Sequence, residues 1–121
     1  MTLGEIVDEL ALSVQAAGDR LGVEVTGGYA SDLLSCVMAK ARGGNVWVTL
    51  QSHLNIVAVA SLLQLAGIIV TEGMSLDAAT LQKANEEGIP ILTTAHTTFT
   101  VVGQLTQLGI LGAEAAQEKE S

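Results

Sequence analysis

The sequence predicts an α/β fold: a parallel sheet of about four strands with helices packed around it. Short β-branched runs alternate with longer amphipathic segments, and threonine recurs about every 22 residues, at Thr49, Thr71 and Thr93. Strands that alternate with helices of this length form right-handed βαβ units, so we expect a parallel sheet. The leucine and asparagine pattern of a leucine-rich solenoid, which has a similar period, is absent.

Helix termini are marked by capping residues and glycines. Thr2 and Glu5 form a capping box, and a glycine follows each apolar-periodic segment. The predicted strands span 23–27, 45–50, 68–71 and 90–94. The predicted helices span 3–17, 31–42, 53–66, 76–87 and 98–108. We expect one domain over residues 1–111, followed by an acidic flexible tail over 112–121 that has no apolar face to bury.

Composition agrees with one small layered domain. The chain has 121 residues, of which 49% are hydrophobic but only 2% aromatic. The core must therefore be built from Val, Ile, Leu and Ala, which suit close contact between a parallel sheet and its covering helices.

Charge and cysteine content limit which kinds of partner and which cellular compartment are expected. Five basic and thirteen acidic residues give a net charge of −8, which disfavours nucleic acid and anionic membrane surfaces as partners. A single cysteine, Cys36, excludes an intramolecular disulfide. The segment 1–5 lacks the positive charge of a signal peptide, and the apolar stretch 56–65 is too short to span a bilayer. We therefore expect a soluble, cytoplasmic protein.

The segment 54–66 is apolar nearly all round. A helix of this kind is buried on more than one side. In so small a domain the second side can be covered by another subunit, and on this basis we expect a homodimer. Coverage of the whole helix within the monomer is the alternative, and it remains open.

Polar residues follow each predicted strand at the edge where ligands of parallel sheets collect. Gly27 and Gly28 would let backbone amides approach a ligand closely, and the threonine hydroxyls would add donors and acceptors. The candidate ligand-binding residues are Thr26, Gly27, Gly28, Tyr29, Thr49, Gln51, His53, Thr71, Glu72 and Thr93. We expect all of them except Tyr29 to line one shared depression.

Each candidate also has a purely structural interpretation. A threonine at a strand end often caps a turn or a helix, and a glycine pair is often only a turn. His53 can cap the helix that follows it. Tyr29 suits either a pocket or a dimer contact, because it is aromatic with a polar tip.

Motifs for catalysis are missing. The sequence has no Gly-x-x-x-x-Gly-Lys-Ser/Thr phosphate loop, no Gly-x-Gly-x-x-Gly and no nucleophile elbow. Neither Cys-x-x-Cys nor His-Glu-x-x-His occurs. We therefore expect no catalytic residues, no metal site, no cofactor and no enzymatic activity.

The segments 25–35, 47–53 and 55–60 carry a family resemblance. Their Gly-Gly-Tyr and Asn-Ile-Val-Ala-Val-Ala motifs resemble the DRTGG domain, which is related to the N-terminal, non-catalytic part of HPr kinase/phosphorylase. With later matches at 88–92 and 108–110, the resemblance covers about residues 1 to 111. Glu24 and Val25 stand where the family's Asp-Arg precedes Thr-Gly-Gly, so no role of that arginine is carried over.

The resemblance implies a regulatory or ligand-sensing module that self-associates. We expect a small ligand, anionic or nucleotide-like, at the C-terminal edge of the sheet. The alternative is a protein-interaction or dimerisation module with no small ligand, since relatives are associated with redox and hydrogenase systems. A serine kinase label, which such relatives sometimes carry, is contradicted by the missing phosphate loop.

Overall fold

The computed structural model describes residues 1–120, with side chains through residue 118. The strands are β1 (Ser13–Ala16), β2 (Gly27–Ala30), β3 (Asn45–Thr49), β4 (Gly67–Val70) and β5 (Ile91–Thr93). The helices are α1 (Leu3–Leu10), α2 (Leu34–Lys40), α3 (Asn55–Leu63), α4 (Ala78–Glu87), α5 (Thr98–Gln107) and α6 (Ala113–Glu120). A 3₁₀ turn spans Gly18–Arg20.

The strands form one sheet in the order β1-β5-β4-β3-β2. Strands β2, β3, β4 and β5 are parallel to one another, and β1 pairs antiparallel with β5 at the edge of the sheet. The predicted α/β class and parallel sheet are therefore confirmed. The edge strand β1 is an addition that the sequence pattern did not predict.

Every residue of the central strands β3 and β4 is buried. Side chains that include Trp47 and Ile68 pack on one face against α2, α3 and α4. Side chains that include Val46 and Ile69 pack on the other face against α1 and α5. The domain is therefore a three-layer sandwich, as expected when central parallel strands are apolar on both faces.

The predicted helix 3–17 is wrong in its second half. The capping box of Thr2 and Glu5 is present, but the helix ends at Leu10. Ala11 adopts a left-handed conformation with φ 52°, and its N–H bonds back to the last turn. The chain can then turn into β1, because pairing with β5 gives that segment's backbone groups a partner.

The predicted strand 23–27 is displaced by about four residues along the chain. The strand in the structure is β2, Gly27–Ala30, and its first residue pairs with Asn45 at the start of β3. Glycine is depleted in strands, so strand propensity predicted the strand at the β-branched residues that precede the glycine pair.

The segment after residue 111 forms helix α6, where the sequence predicted no ordered element. It packs beside β2, and its first residue, Ala113, is buried. A Cβ at Gly27 would lie 3.1 Å from the Cβ of Ala116. The helix therefore packs against the backbone of a glycine in β2. An apolar face on the helix is not needed for this contact, so hydrophobic periodicity did not predict it.

The other predicted elements are confirmed to within a few residues. Asp77 and Thr97 cap α4 and α5 with their side chains, and Gly88 ends α4 with φ 69°. Within the described part of the chain, no helix is both long and apolar enough to cross a membrane.

We predict that Gly44→Ala destabilises the protein more than Gly73→Ala. Both glycines have positive φ, 83° and 69°, so both substitutions strain the backbone by roughly 1–2 kcal/mol. A Cβ at Gly44 would also lie 2.7 Å from the Thr26 hydroxyl oxygen, whereas one at Gly73 meets open space. Overpacking of this kind adds about 1–3 kcal/mol. Urea unfolding of both variants tests this, and equal losses would contradict the close contact at Gly44.

Candidate functional site

Thr49, Thr71 and Thr93 share one edge of the sheet, as predicted. Thr49 ends β3, Thr93 ends β5, and the Thr71 N–H donates to the Thr49 carbonyl oxygen at 3.0 Å. We call this the carboxyl edge. It comprises residues 31–33, 50–54, 71–77 and 94–99, which follow the four parallel strands.

Asp32 links the loops that follow β2 and β3. Its carboxylate oxygen Oδ1 accepts hydrogen bonds from the Thr49 hydroxyl and the Leu50 N–H, both at 2.8 Å. The Gln51 side-chain amide donates to the Asp32 carbonyl oxygen at 3.0 Å, and the Gln51 N–H donates to the Thr49 hydroxyl. The Thr49 hydroxyl is therefore already engaged.

A second set of hydrogen bonds joins the loop after β4 to α5. The Thr71 and Thr98 hydroxyl oxygens are 2.6 Å apart, and the Thr98 N–H donates to the Glu72 carboxylate at 2.8 Å. Glu72 has a left-handed backbone with φ 64°, and its N–H donates to the His96 carbonyl oxygen. The exposed Glu72 thus fixes the start of α5.

The threonine repeat is real, and its hydroxyls serve the fold. Thr49 and Thr71 are fully buried, and the Thr93 hydroxyl accepts from the Gln15 side chain at 3.1 Å. The structure thus gives each of the three hydroxyls an internal partner, and the two fully buried ones are out of reach of a ligand.

A depression of about 450 Å³ opens on the carboxyl edge between the loops after β3 and β4. It is lined by Leu50, Gln51, Ser52, His53, Met74, Ser75, Leu76 and Asp77. Of the sequence-predicted site residues, it therefore includes Gln51 and His53. Three apolar and five polar side chains line it, a mixture that can contact a small molecule.

His53 and Asp77 set the electrostatics of this depression. The backbone N–H of Asn55 donates to His53 Nδ1 at 3.2 Å, which leaves the imidazole proton on Nε2 in the neutral ring. The pKa of Asp77 lies below its ordinary value, first because the Thr80 backbone N–H donates to its carboxylate oxygen Oδ1 at 2.8 Å. The nearby His53 lowers that pKa further. Asp77 is therefore ionised at neutral pH.

The placement of Thr26 and Gly27 at the carboxyl edge is wrong. Gly27 pairs with Asn45, so both residues lie at the opposite, amino edge. The Thr26 hydroxyl donates to the Gly43 carbonyl oxygen at 3.1 Å and accepts from the Asn45 side chain at 3.3 Å. The cause is the displacement of β2, which moved the glycine pair from the end of the strand to its start.

Gly28 and Tyr29 lie within β2, away from the depression. They line a separate groove of about 210 Å³ formed with α5 and the segment 110–112. The Gly28 N–H donates to the Leu111 carbonyl oxygen at 2.8 Å, so the close backbone approach that glycine permits is made by the chain itself. The nine residues predicted to line one depression therefore do not share it.

Sequence reasoning missed Asp32, Met74, Ser75 and Asp77 at this edge. Asp32 is the second residue after the true end of β2, so correct placement of that strand would have identified it. The loop after β4 continues to Asp77, the N-cap of α4, whereas the sequence predicted that this helix begins at residue 76. Among the described residues, no group of three or more His, Cys, Asp or Glu side chains could hold a metal ion.

Comparison with known families identifies the fold. The model of the DRTGG domain matches residues 25–108. The chain belongs to the DRTGG domain family. The match extends from just before the glycine pair to the end of α5, so it includes the whole carboxyl edge. No curated protein matches the chain.

A solved structure shares this DRTGG fold. It is a crystal structure of the CBS and DRTGG domains of the regulatory region of Clostridium perfringens pyrophosphatase, complexed with the activator diadenosine tetraphosphate. The TM-score is 0.71 at 20% sequence identity. The likeness covers 88% of this chain and 46% of that one, so this DRTGG chain spans about half the length of its structural neighbour.

We predict that Thr49→Val destabilises the protein more than Thr93→Val. The first variant removes a buried hydroxyl that serves Asp32 and the Gln51 N–H, and loss of such bonds costs roughly 1–3 kcal/mol. The second removes one hydrogen bond to an exposed side chain, Gln15. Denaturant unfolding measures both. A larger loss at Thr93 would show that the Asp32 link does not hold the edge.

Proposed function

We propose that this DRTGG domain is a non-enzymatic, cytoplasmic regulatory module that senses a small ligand. The ligand site is the depression on the carboxyl edge that Gln51 and His53 line. The observation that carries this proposal is the depression itself. Its volume of about 450 Å³ falls in the range of small-molecule sites, and it lies where open α/β sheets bind ligands.

A nucleotide-like ligand is the first candidate. The regulatory region of the neighbouring pyrophosphatase is complexed with diadenosine tetraphosphate, and it includes a DRTGG domain. In this chain Leu50, Met74 and Leu76 offer apolar contact to a base, while Gln51 and His53 offer hydrogen bonds.

Phosphate groups would meet an acidic surrounding at this site. Residues 31–33, 50–54, 71–77 and 94–99 include Asp32, Glu72 and Asp77 but no Lys or Arg. A polyphosphate ligand is therefore expected to bind with a divalent cation that offsets its charge, and its base is expected to contribute most of the contact.

The polar side chains at the carboxyl edge already make hydrogen bonds within the protein, which favours regulation without catalysis. The buried hydroxyls of Thr49 and Thr71 bond to Asp32 and Thr98, and the Glu72 carboxylate holds the start of α5. These groups stabilise loops, which supports a binding role. In keeping with this, incubation with a nucleotide that binds should leave that nucleotide intact.

We predict that a nucleotide from a panel with and without Mg²⁺, including diadenosine tetraphosphate, raises the melting temperature. A ligand at a hundred times its dissociation constant adds about 2.7 kcal/mol of stability. Ser75→Trp, which fills the depression, should remove that response. Ser35→Trp, on the exposed surface of α2, should preserve it.

The outcomes separate the two functions considered. A ligand that stabilises the Ser75→Trp variant as strongly as the wild type binds elsewhere. No response to any compound would favour an interaction module without a small ligand.

Self-association has its own structural support, on helix α3. The helix buries Ile56, Val57 and Ala60 against the sheet. Its outer side exposes Leu54, Ala58 and Leu62, spaced by four residues, and Leu62 is 69% exposed. The all-round apolar segment is thus covered on one side only. We propose that a second copy, or a redox partner protein, covers the other.

We predict a homodimer at micromolar concentration, with a mass by light scattering of about twice that of the chain. Leu62→Glu should yield a monomer, because it places a carboxylate in the outer stripe of α3. Val23→Glu is the control, since Val23 is an exposed apolar residue outside α3. A monomeric wild-type protein would contradict this interface.

A further inference from the structure

The carboxyl edge exposes a large apolar side chain after every parallel strand. Leu33 follows β2, Leu50 and Leu54 follow β3, Met74 follows β4, and Phe99 follows β5. Their exposed fractions are 60%, 38%, 42%, 41% and 89% in that order. None of them belongs to the buried part of the two core clusters. Apolar surface that recurs at one edge is typical of an interaction site.

Phe99 is the most exposed of these side chains and the only phenylalanine. It lies in the first turn of α5, whose start is already held by the Thr97 cap and by the bond from the Thr98 N–H to Glu72. The fold therefore does not need Phe99 to begin this helix. An aromatic ring in water at such a position suits contact with another molecule.

These five residues, which we call the apolar row, follow four adjacent strands. Phe99 follows β5, Met74 follows β4, Leu50 and Leu54 follow β3, and Leu33 follows β2. Three strand spacings of about 4.8 Å separate β5 from β2 by about 14 Å. About ten residues of an α-helix have the same length, so a short segment of a partner could span the edge from β5 to β2.

The negative charge of the carboxyl edge indicates what kind of partner would bind it. Asp32, Glu72 and Asp77 lie on its loops, which contain no Lys or Arg. A second copy docked edge to edge would bring like charges together, which disfavours self-association here. A segment with Lys and Arg beside apolar side chains would complement both the carboxylates and the apolar row.

We propose that the carboxyl edge is a docking surface for a partner polypeptide that presents apolar side chains flanked by Lys and Arg. This inference does not depend on the small ligand. Leu50 and Met74 belong both to the row and to the depression, so a bound ligand would alter the surface that the partner contacts. Competition between ligand and partner would then transmit the regulatory signal.

The experiment measures binding of fluorescent model peptides to the wild-type protein without nucleotide. The first peptide, of about 14 residues, has Leu and Lys at helical spacing. A Ser and Lys peptide has the same charge without apolar side chains, and a Leu and Glu peptide has the opposite charge. By fluorescence anisotropy, each of these two should bind at least about tenfold more weakly than the Leu and Lys peptide.

Variants then locate the site. The double variant Leu33→Ser, Phe99→Ser should weaken binding of the Leu and Lys peptide by at least about tenfold. Met38→Ser, which removes an exposed apolar side chain from α2, outside the carboxyl edge, should leave it unchanged. The replaced side chains are all exposed, so each variant should melt near the wild-type temperature.

Two results would overturn the inference. If the double variant binds as tightly as the wild type, the peptide contacts another surface. If the Ser and Lys peptide binds as tightly as the Leu and Lys peptide, net charge alone accounts for the attraction. Neither result bears on the nucleotide response, which is measured separately and without peptide.

Discussion

The complete burial of β3 and β4 is the constraint on which the rest of this structure depends. Apolar side chains on both faces of these strands require two helical layers. Their polar ends must then find partners inside the protein, because an unpaired buried group costs roughly 1–3 kcal/mol. Asp32 supplies the partner for Thr49, and Thr98 supplies the partner for Thr71.

The same constraint decides where function is possible. Buried hydroxyls hold the loops of the carboxyl edge in place. Only side chains farther along those loops are free to contact another molecule. Gln51 and His53 are in this position, as are the apolar Met74 and Phe99. We propose that one edge combines a depression for a small molecule with an apolar, acidic surface for a partner. A module that senses one and binds the other needs these two features to overlap.

Much of the fold could be predicted because its signals are local. The threonine period placed β3, β4 and β5 correctly, and the capping box of Thr2 and Glu5 is where the sequence predicted it. The site could be predicted only in part. Gln51 and His53 follow a strand with a clear β-branched pattern, whereas the glycine strand β2 has no such pattern, and its misplacement hid Asp32.

The sequence by itself determined the α/β class, the parallel central strands and the edge where Thr49, Thr71 and Thr93 meet, because hydrophobic period and capping act over a few residues. Only the tertiary structure decided the role of Gly27 and Gly28. Because they have no side chain, α6 and the segment 110–112 can pack closely against β2. The tertiary structure also decided the strand β1 and the exposure of Phe99. Each of these depends on contacts, or on their absence, between segments far apart in the chain, where local propensity carries no information.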